Sequence, residues 1–482
     1  MNAKIRFDSR FQLILLFAFL FVFFCIISFI PEATAGGGDD ISHYNIARNA
    51  FKYPRLYLDL WGKPVFTFLS SPFAQFGLHG MQLFNIILGL ISSYLLILIA
   101  RELGYPNAWL VVPFICFAPL YMVMMSTGMT EILFGFFLVI SAYLFFKERY
   151  ILSSVLISFL PFVRNEGIII LPIYLCAFLL YRKWKSVPFL LTGILILSFA
   201  GYFYYKDWLW IIHKWPYGDT SEIYGHGDFL FYIKQCKWIL GIPLIILFLA
   251  GLLINLFRFF KNLNFRLSPR LKEILVILGP MVLYILAHSY AWWKGTMGSG
   301  GLTRFMTAII PLTAIYSLQG FNLFAQFIDK KKVIKGIVII IVLYFVIITP
   351  FRLNPIPYRS TVEQQLAKEA SGWLKGNALG KGVIYYCDPH IQYFLGVNYY
   401  DKSLIKQYLP NPKNPSKDIP EGSFIAWDAH YLANEGMVSK SSLISDSSLK
   451  LVKAYQPGDS TTTLGGYNYE LLIFLKDSKL SN

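Results

Sequence analysis

Charge is scarce in this chain, and acid is scarcer than base. Only 15% of the 482 residues are charged, with 27 Asp and Glu against 43 Lys and Arg. That excludes an ordinary soluble domain, in which roughly 25% of residues are charged. Cysteine is nearly absent. Of the five, Cys25, Cys116, Cys176 and Cys236 lie in or beside apolar segments and Cys387 stands alone in a polar tail. No disulfide framework and no metal-ligand spacing results. Internal repeats and low-complexity tracts are lacking too. No residue pattern calls for a cofactor, no metal ligand is assigned, and a divalent metal is left open.

What is abundant is apolar: 56% hydrophobic residues, 18% aromatics and a mean hydropathy of +0.53 describe a polytopic membrane protein. Residues 11–30 carry no charge, and about 20 such residues cross a bilayer. Lys4, Arg6 and Arg10 precede them, so the chain starts inside. Ala33-Thr34-Ala35 has the form of a signal-peptidase site, but the apolar run exceeds an h-region of roughly 7 to 15 residues, and it reads as a retained helix. Cleavage before Gly36 would leave the later orientation unchanged.

Further apolar runs fall near residues 81–100, 108–125, 131–146, 151–163, 167–181, 187–205, 238–257, 274–292, 305–326 and 333–350, giving about eleven crossings. The two runs flanking Arg164-Asn165-Glu166 are short and read as a tight helical hairpin, since a fused span would carry Arg164 and Glu166 at membrane depth. Basic residues gather in the inner loops: Arg101, Lys147, Arg149, Arg182, Lys183, Lys185, Arg258, Lys261, Arg266, Arg270, Lys272 and Lys330-Lys331-Lys332. Orientation therefore accounts for the net charge of +16 without nucleic acid. Residues 31–80, 126–130, 164–166, 206–237 and 293–304 then lie outside, with the tail after Pro350.

The expected fold class is an α-helical polytopic membrane protein with a small C-terminal α/β soluble domain. The boundaries are 1–350, with an external loop 31–80, and 351–482. In the tail, a helix is expected over Thr361–Lys375 and strands at Val383–Cys387, Phe424–Trp427, Leu449–Tyr455 and Tyr469–Leu475. The tail carries no catalytic signature and reads as a lid or docking domain.

Sorting polar residues by side gathers Asp39, Asp40, His43, Lys63, Glu131, Arg164, Glu166, His226 and Arg304 on the outer face. A carboxylate beside a hydroxyl acts as a general base, and Lys and Arg bind phosphate. Together they suit transfer of a group from a phosphate leaving group to a hydroxyl. Nucleotide sugars are not available outside the membrane, so the donor is expected to be lipid-bound.

Gly38-Asp39-Asp40-x-x-His43-Tyr44-x-x-Ala47-Arg48 resembles the first external loop of the membrane-embedded GT-C glycosyltransferases, with its acidic pair ahead of a short interfacial helix. Trp61-Gly62-Lys63-Pro64, followed by Phe73-x-x-Phe76-Gly77, is similar to the Lys-Pro segment of protein O-mannosyltransferases and lipid A aminoarabinose transferases. Thr130-Glu131 and Arg164-Asn165-Glu166-Gly167 resemble segments of the mannosyltransferase branch, as does Arg304-Phe305 with Pro311. The order holds from residue 1 to about 350. Asp40 stands where Glu is commoner, Asn165 replaces Pro, and one proline follows Lys63. The resemblance implies an inverting displacement at the anomeric carbon of a polyprenyl-phosphate-linked sugar. Asp39 would be the base, Asp40 its neighbour, and Lys63, Arg304 and Arg164 the phosphate ligands, supported by His43, Glu131, Glu166 and His226. The expected acceptor is a lipid, glycan or protein hydroxyl. A bacterial inner membrane with the site and C-terminus facing the periplasm is expected, because no retrieval signal ends the chain.

Each residue also has a plainer reading. Asp39 or Asp40 can cap a helix beginning near Ile41, Glu131 suits a helix N-terminus, and Lys63 and Arg304 can snorkel. Arg164 and Glu166 can pair with each other, and His226 can belong to a turn between Gly225 and Gly227. The competing function is a polytopic transporter or lipid-linked glycan flippase, which would carry broken helices at the midplane. The sequence instead suggests clean spans.

Overall fold

The computed structural model describes residues 10–31, 35–216, 225–261, 269–328, 331–463 and 466–477. Lys4, Arg6, Ala33, Thr34, Arg266 and Lys330, used above for orientation or cleavage, lie outside the described residues. The chain packs as two units. One is Met1–Pro31, Ile46–Gly218 and His226–Tyr358, and the other is Glu32–Asn45, Asp219–Gly225 and Arg359–Asn482. The acidic segment thus groups with the carboxy-terminal residues, whereas the sequence reading assigned it to the region 1–350.

Lipid offers the backbone no hydrogen-bond partner, so apolar runs fold as helices. All eleven do. Among the described residues, Arg10–Phe29, Leu78–Glu102, Trp184–Tyr205, Ile242–Lys261, Arg270–Lys294, Thr303–Gln326 and Val333–Leu353 are long and apolar enough to cross a membrane. Glu131–Phe146, Tyr150–Val163 and Asn165–Leu180 are shorter. Arg164 separates the last two in an extended conformation (φ −156°, ψ 142°) and is followed by a 3-10 turn, Asn165–Ile169. The expectation of clean spans fails at residues 108–125, where Ala108–Cys116 and Pro119–Met125 meet at 72°. Pro119 has no N–H and drives Ala118 into an extended conformation (ψ 124°), which breaks the helix.

Ile242–Lys261 and Ile310–Gln326 approach at backbone distance. A Cβ on Gly251 would overlap the carbonyl of Tyr316, and one on Gly320 the carbonyl of Leu247. Small residues are what permit such contact between membrane helices. Nearby, Glu273 is buried and accepts from Tyr105 Oη (2.7 Å) and from Gln319 Nε2, while Asn255 donates to Gln319 (3.2 Å). The sequence reading missed this polar tie.

In the second unit the sheet has the order β2-β1-β3-β5-β4, with β1 Ile384–Tyr386, β2 Ile405–Gln407, β3 Phe424–Asp428, β4 Leu449–Tyr455 and β5 Leu471–Lys476. Strand β1 is parallel to β2 and β3, and β5 is antiparallel to β3 and β4. The four expected strands are present. Strand β2, only Ile-Lys-Gln, is too short to show alternation and was missed. The helix Val362–Asn377 begins with a capping box between Thr361 and Gln364.

Gly320→Ala should lower the thermal unfolding midpoint in detergent, corresponding to about 1–3 kcal/mol of overpacking. Gly336→Ala, inside the helix Lys332–Leu353 and meeting nothing within 4 Å, should not lower the midpoint and, by helix propensity, should raise it slightly.

Candidate functional site

In the membrane unit the expected cations and carboxylates do converge. Glu131 opens the helix Glu131–Phe146, where backbone N–H groups favour a negative charge. It is completely buried, so it needs a cation. Arg164 supplies one: Nη1 lies 2.8 Å from Glu131 Oε1 and donates to Thr130 Oγ1 at 2.8 Å. On its other edge, Nη2 and Nε lie 2.8 and 2.9 Å from Glu166 Oε1. Arg304 Nε stands 3.7 Å from Glu131 Oε1.

The extended backbone at Arg164 also brings Asn165 to Lys63, whose Nζ is 3.5 Å from Asn165 Oδ1 and 3.3 Å from the Leu60 carbonyl. Lys63 is buried and has φ +64°, a conformation that costs a side-chain-bearing residue energy. The side chain is therefore packed inside the protein and does not project from an exposed loop. Glu131 is more than a cap, since it pairs with two arginines.

His288 and Tyr284, which the sequence reading did not single out, complete the cluster together with Phe305 of the Arg304-Phe305 motif. His288 Nε2 is 3.5 Å from Glu166 Oε1, and Tyr284 Oη donates to the same oxygen at 3.4 Å. Phe305 carries the Arg164 guanidinium 4.9 Å from its ring centre and packs against His288 at 4.8 Å. The available signal was His288 itself, an ionisable residue inside an apolar span. His226 is exposed on a loop whose Gly227 N–H donates to the Trp292 carbonyl, and among the described residues it forms no ion pair.

The acidic segment is organised within the other unit. Its helix is Gly37–Asn49, not one beginning near Ile41, so Asp39 and Asp40 occupy the first turn and neither is the N-cap. Glycines without side chains let the backbone pack closely enough to extend the helix upstream: Gly38 N–H donates to Tyr431 Oη at 3.2 Å. Asp40 is fully buried, His43 one turn on is buried, and Asp39 is partly exposed. At the carboxyl ends of β1 and β3 stand Asp388 and Asp428. Burial, then the neighbouring Asp388, pushes the Asp428 carboxyl up to about 7. Burial opposes charge on His390, but the Asp388 carboxylate 2.7 Å away holds it above its ordinary value. Both groups bind protons more tightly folded than unfolded, so their stabilising contribution is lost as pH rises.

Two predictions follow from these clusters. Arg164→Met should cost roughly 3–5 kcal/mol by stranding buried carboxylates, and Glu131→Gln combined with it should restore part of the loss in detergent unfolding. Urea unfolding of the full-length protein, read by pulse proteolysis of the carboxy-terminal unit, should shift to lower urea as pH rises between 3.8 and about 7. Asp428→Asn should flatten that dependence.

No protein-family profile matches the chain, and no curated protein does. Among solved structures it is similar to ArnT from Cupriavidus metallidurans bound to undecaprenyl phosphate, with 10% identity, TM-score 0.62, and coverage of 96% of this chain and 98% of that one. The apo form of the same protein gives 10% identity, TM-score 0.63, and coverage of 97% and 98%. At this identity the likeness concerns architecture: the chain has the ArnT fold along nearly its whole length, the fold that the resemblance to GT-C glycosyltransferases implied.

Proposed function

We propose that the protein is an inverting glycosyltransferase that moves a sugar from a polyprenyl-phosphate donor to a hydroxyl of a lipid, glycan or protein. The observation that carries this reading is the buried cluster in the membrane unit. There Lys63, Arg164 and Arg304 gather with Glu131 and Glu166. Arg164 is held by both carboxylates and serves mainly to fix the cluster. Lys63 and Arg304 are the residues that take the phosphate of the leaving group. The shared fold with a protein that binds undecaprenyl phosphate supports that donor class.

Asp39 takes the proton from the acceptor hydroxyl as oxygen attacks the anomeric carbon and the carbon–phosphate-oxygen bond breaks, which inverts the centre. Partial exposure favours Asp39 over the buried Asp40 for that contact. A hexose or pentose donor fits equally, and no metal or cofactor enters the scheme. The reaction takes place on the outer face of a bacterial inner membrane, with the carboxy-terminal unit on the periplasmic side.

Asp39→Asn should fold like wild type yet transfer sugar from a polyprenyl-phosphate donor on the order of 10² to 10⁴ times more slowly. Arg304→Ala should raise the apparent donor requirement or abolish transfer. A near-wild-type rate in purified Asp39→Asn would sink the base assignment. Movement of substrate by wild type without sugar transfer would favour the transporter, whose broken helices the 72° bend resembles. Ser447 is exposed, so Ser447→Cys should react with an impermeant thiol reagent in intact spheroplasts. Protection until lysis would overturn the orientation.

A further inference from the structure

The carboxy-terminal unit carries the same local device twice. Asp388-Pro389-His390 follows β1, and Asp428-Ala429-His430 begins at the last residue of the adjacent parallel strand β3. In each, the Asp Oδ1 accepts from the N–H two residues on, at 2.9 and 3.0 Å. Asp428 also accepts from the N–H groups of Tyr431 and Leu432. These turns lie at the carboxyl ends of parallel strands, where open α/β sheets hold their ligands. Here the place is occupied by the chain's own acidic segment.

The fit is close. A Cβ on Gly38 would lie 2.9 Å from Tyr431 Oη and 3.1 Å from Cδ and Cγ of Pro389, so only glycine is accommodated without displacement. The Tyr431 hydroxyl accepts from the Gly38 N–H at 3.2 Å, one of the N-terminal donors that a helix cannot satisfy internally. Tyr431 is itself fixed by stacking on His430 (ring centres 4.3 Å, 21°), and His430 Nδ1 lies 2.9 Å from Glu363 Oε2. Seven residues after Gly38, Asn45 Nδ2 donates to Gln392 Oε1 at 2.6 Å, and Tyr44 meets Tyr393 edge to face at 6.2 Å. Residues 38 to 45 are therefore held at both ends by the segments that the two aspartates cap.

We infer that Tyr431 is a positioning residue for Asp39, and that the carboxy-terminal sheet aims the acidic helix by gripping Gly38 between Tyr431 and Pro389. The inference rests on the proposed role of Asp39 as the base. Tyr431 touches no reacting atom. Its hydroxyl fixes the peptide immediately before Asp39, and misplacement of a reacting group by about 1 Å costs on the order of 10²-fold in rate.

The test is a double-mutant cycle on the full-length enzyme with a polyprenyl-phosphate sugar. Tyr431→Phe removes one oxygen and should lower kcat about tenfold, with donor KM little changed, because a single positioning hydrogen bond is lost. Since Tyr431 acts through Asp39, adding Tyr431→Phe to Asp39→Asn should slow the enzyme no further than Asp39→Asn alone. Wild-type kcat in Tyr431→Phe, or multiplicative losses in the double variant, would overturn the positioning role even where Asp39→Asn is inactive. Full activity of Asp39→Asn would instead fell the base assignment. Should Tyr431→Phe fail to fold, Asn45→Ala removes the second anchor and is judged by the same cycle.

Discussion

A carboxylate placed where water cannot reach it must have a cation, and Glu131 imposes that condition on the membrane unit. Leaving such a charge uncompensated costs several kcal/mol, so Arg164 must reach it. The backbone accommodates this by turning extended at a single residue between two helices. The same break makes both flanking helices short and brings Asn165 to Lys63. It also leaves Glu166 on the other edge of the guanidinium, where Tyr284 and His288 gather. Five separate stretches of the chain are organised by one ion pair.

Much of this was legible because membrane burial makes polar residues conspicuous. In an apolar background Lys63, Glu131, Arg164, Glu166 and Arg304 are the residues that cost most to bury, and the structure brings all five together. The helices were equally plain, because lipid leaves an apolar run little alternative. What escaped had weaker signals. The bend at Pro119 was hidden inside an unbroken apolar run, although proline at that place removes a helix hydrogen bond. His288 and Tyr284 were masked by hydrophobic neighbours. Strand β2 was too short for periodicity.

The upstream start of the acidic helix could not be read from local propensity, because its first two residues, Gly37 and Gly38, disfavour helix by up to about 1 kcal/mol each. The helix begins at Gly37 because tertiary contacts replace what propensity lacks. Tyr431 Oη satisfies a terminal N–H, and Pro389 packs where a side chain would otherwise stand. The tail that reads as bland in sequence is therefore what gives the most suggestive motif of the chain its conformation.

The proposed chemistry makes opposite demands on its two kinds of charged group. A base must keep its proton affinity and meet an acceptor of variable shape, so a carboxylate on a partly exposed first turn serves it. A phosphate site must present positive charge in a medium that resists lone charges, and it does so by nearly balancing itself first. Glu131 and Glu166 both engage Arg164, so these buried charges offset one another. Lys63 retains a strained backbone (φ +64°) within that cluster. Strain of this kind survives where surrounding contacts over-determine a side chain's position. The Asn165 and Leu60 oxygens that receive its ammonium contribute to that constraint.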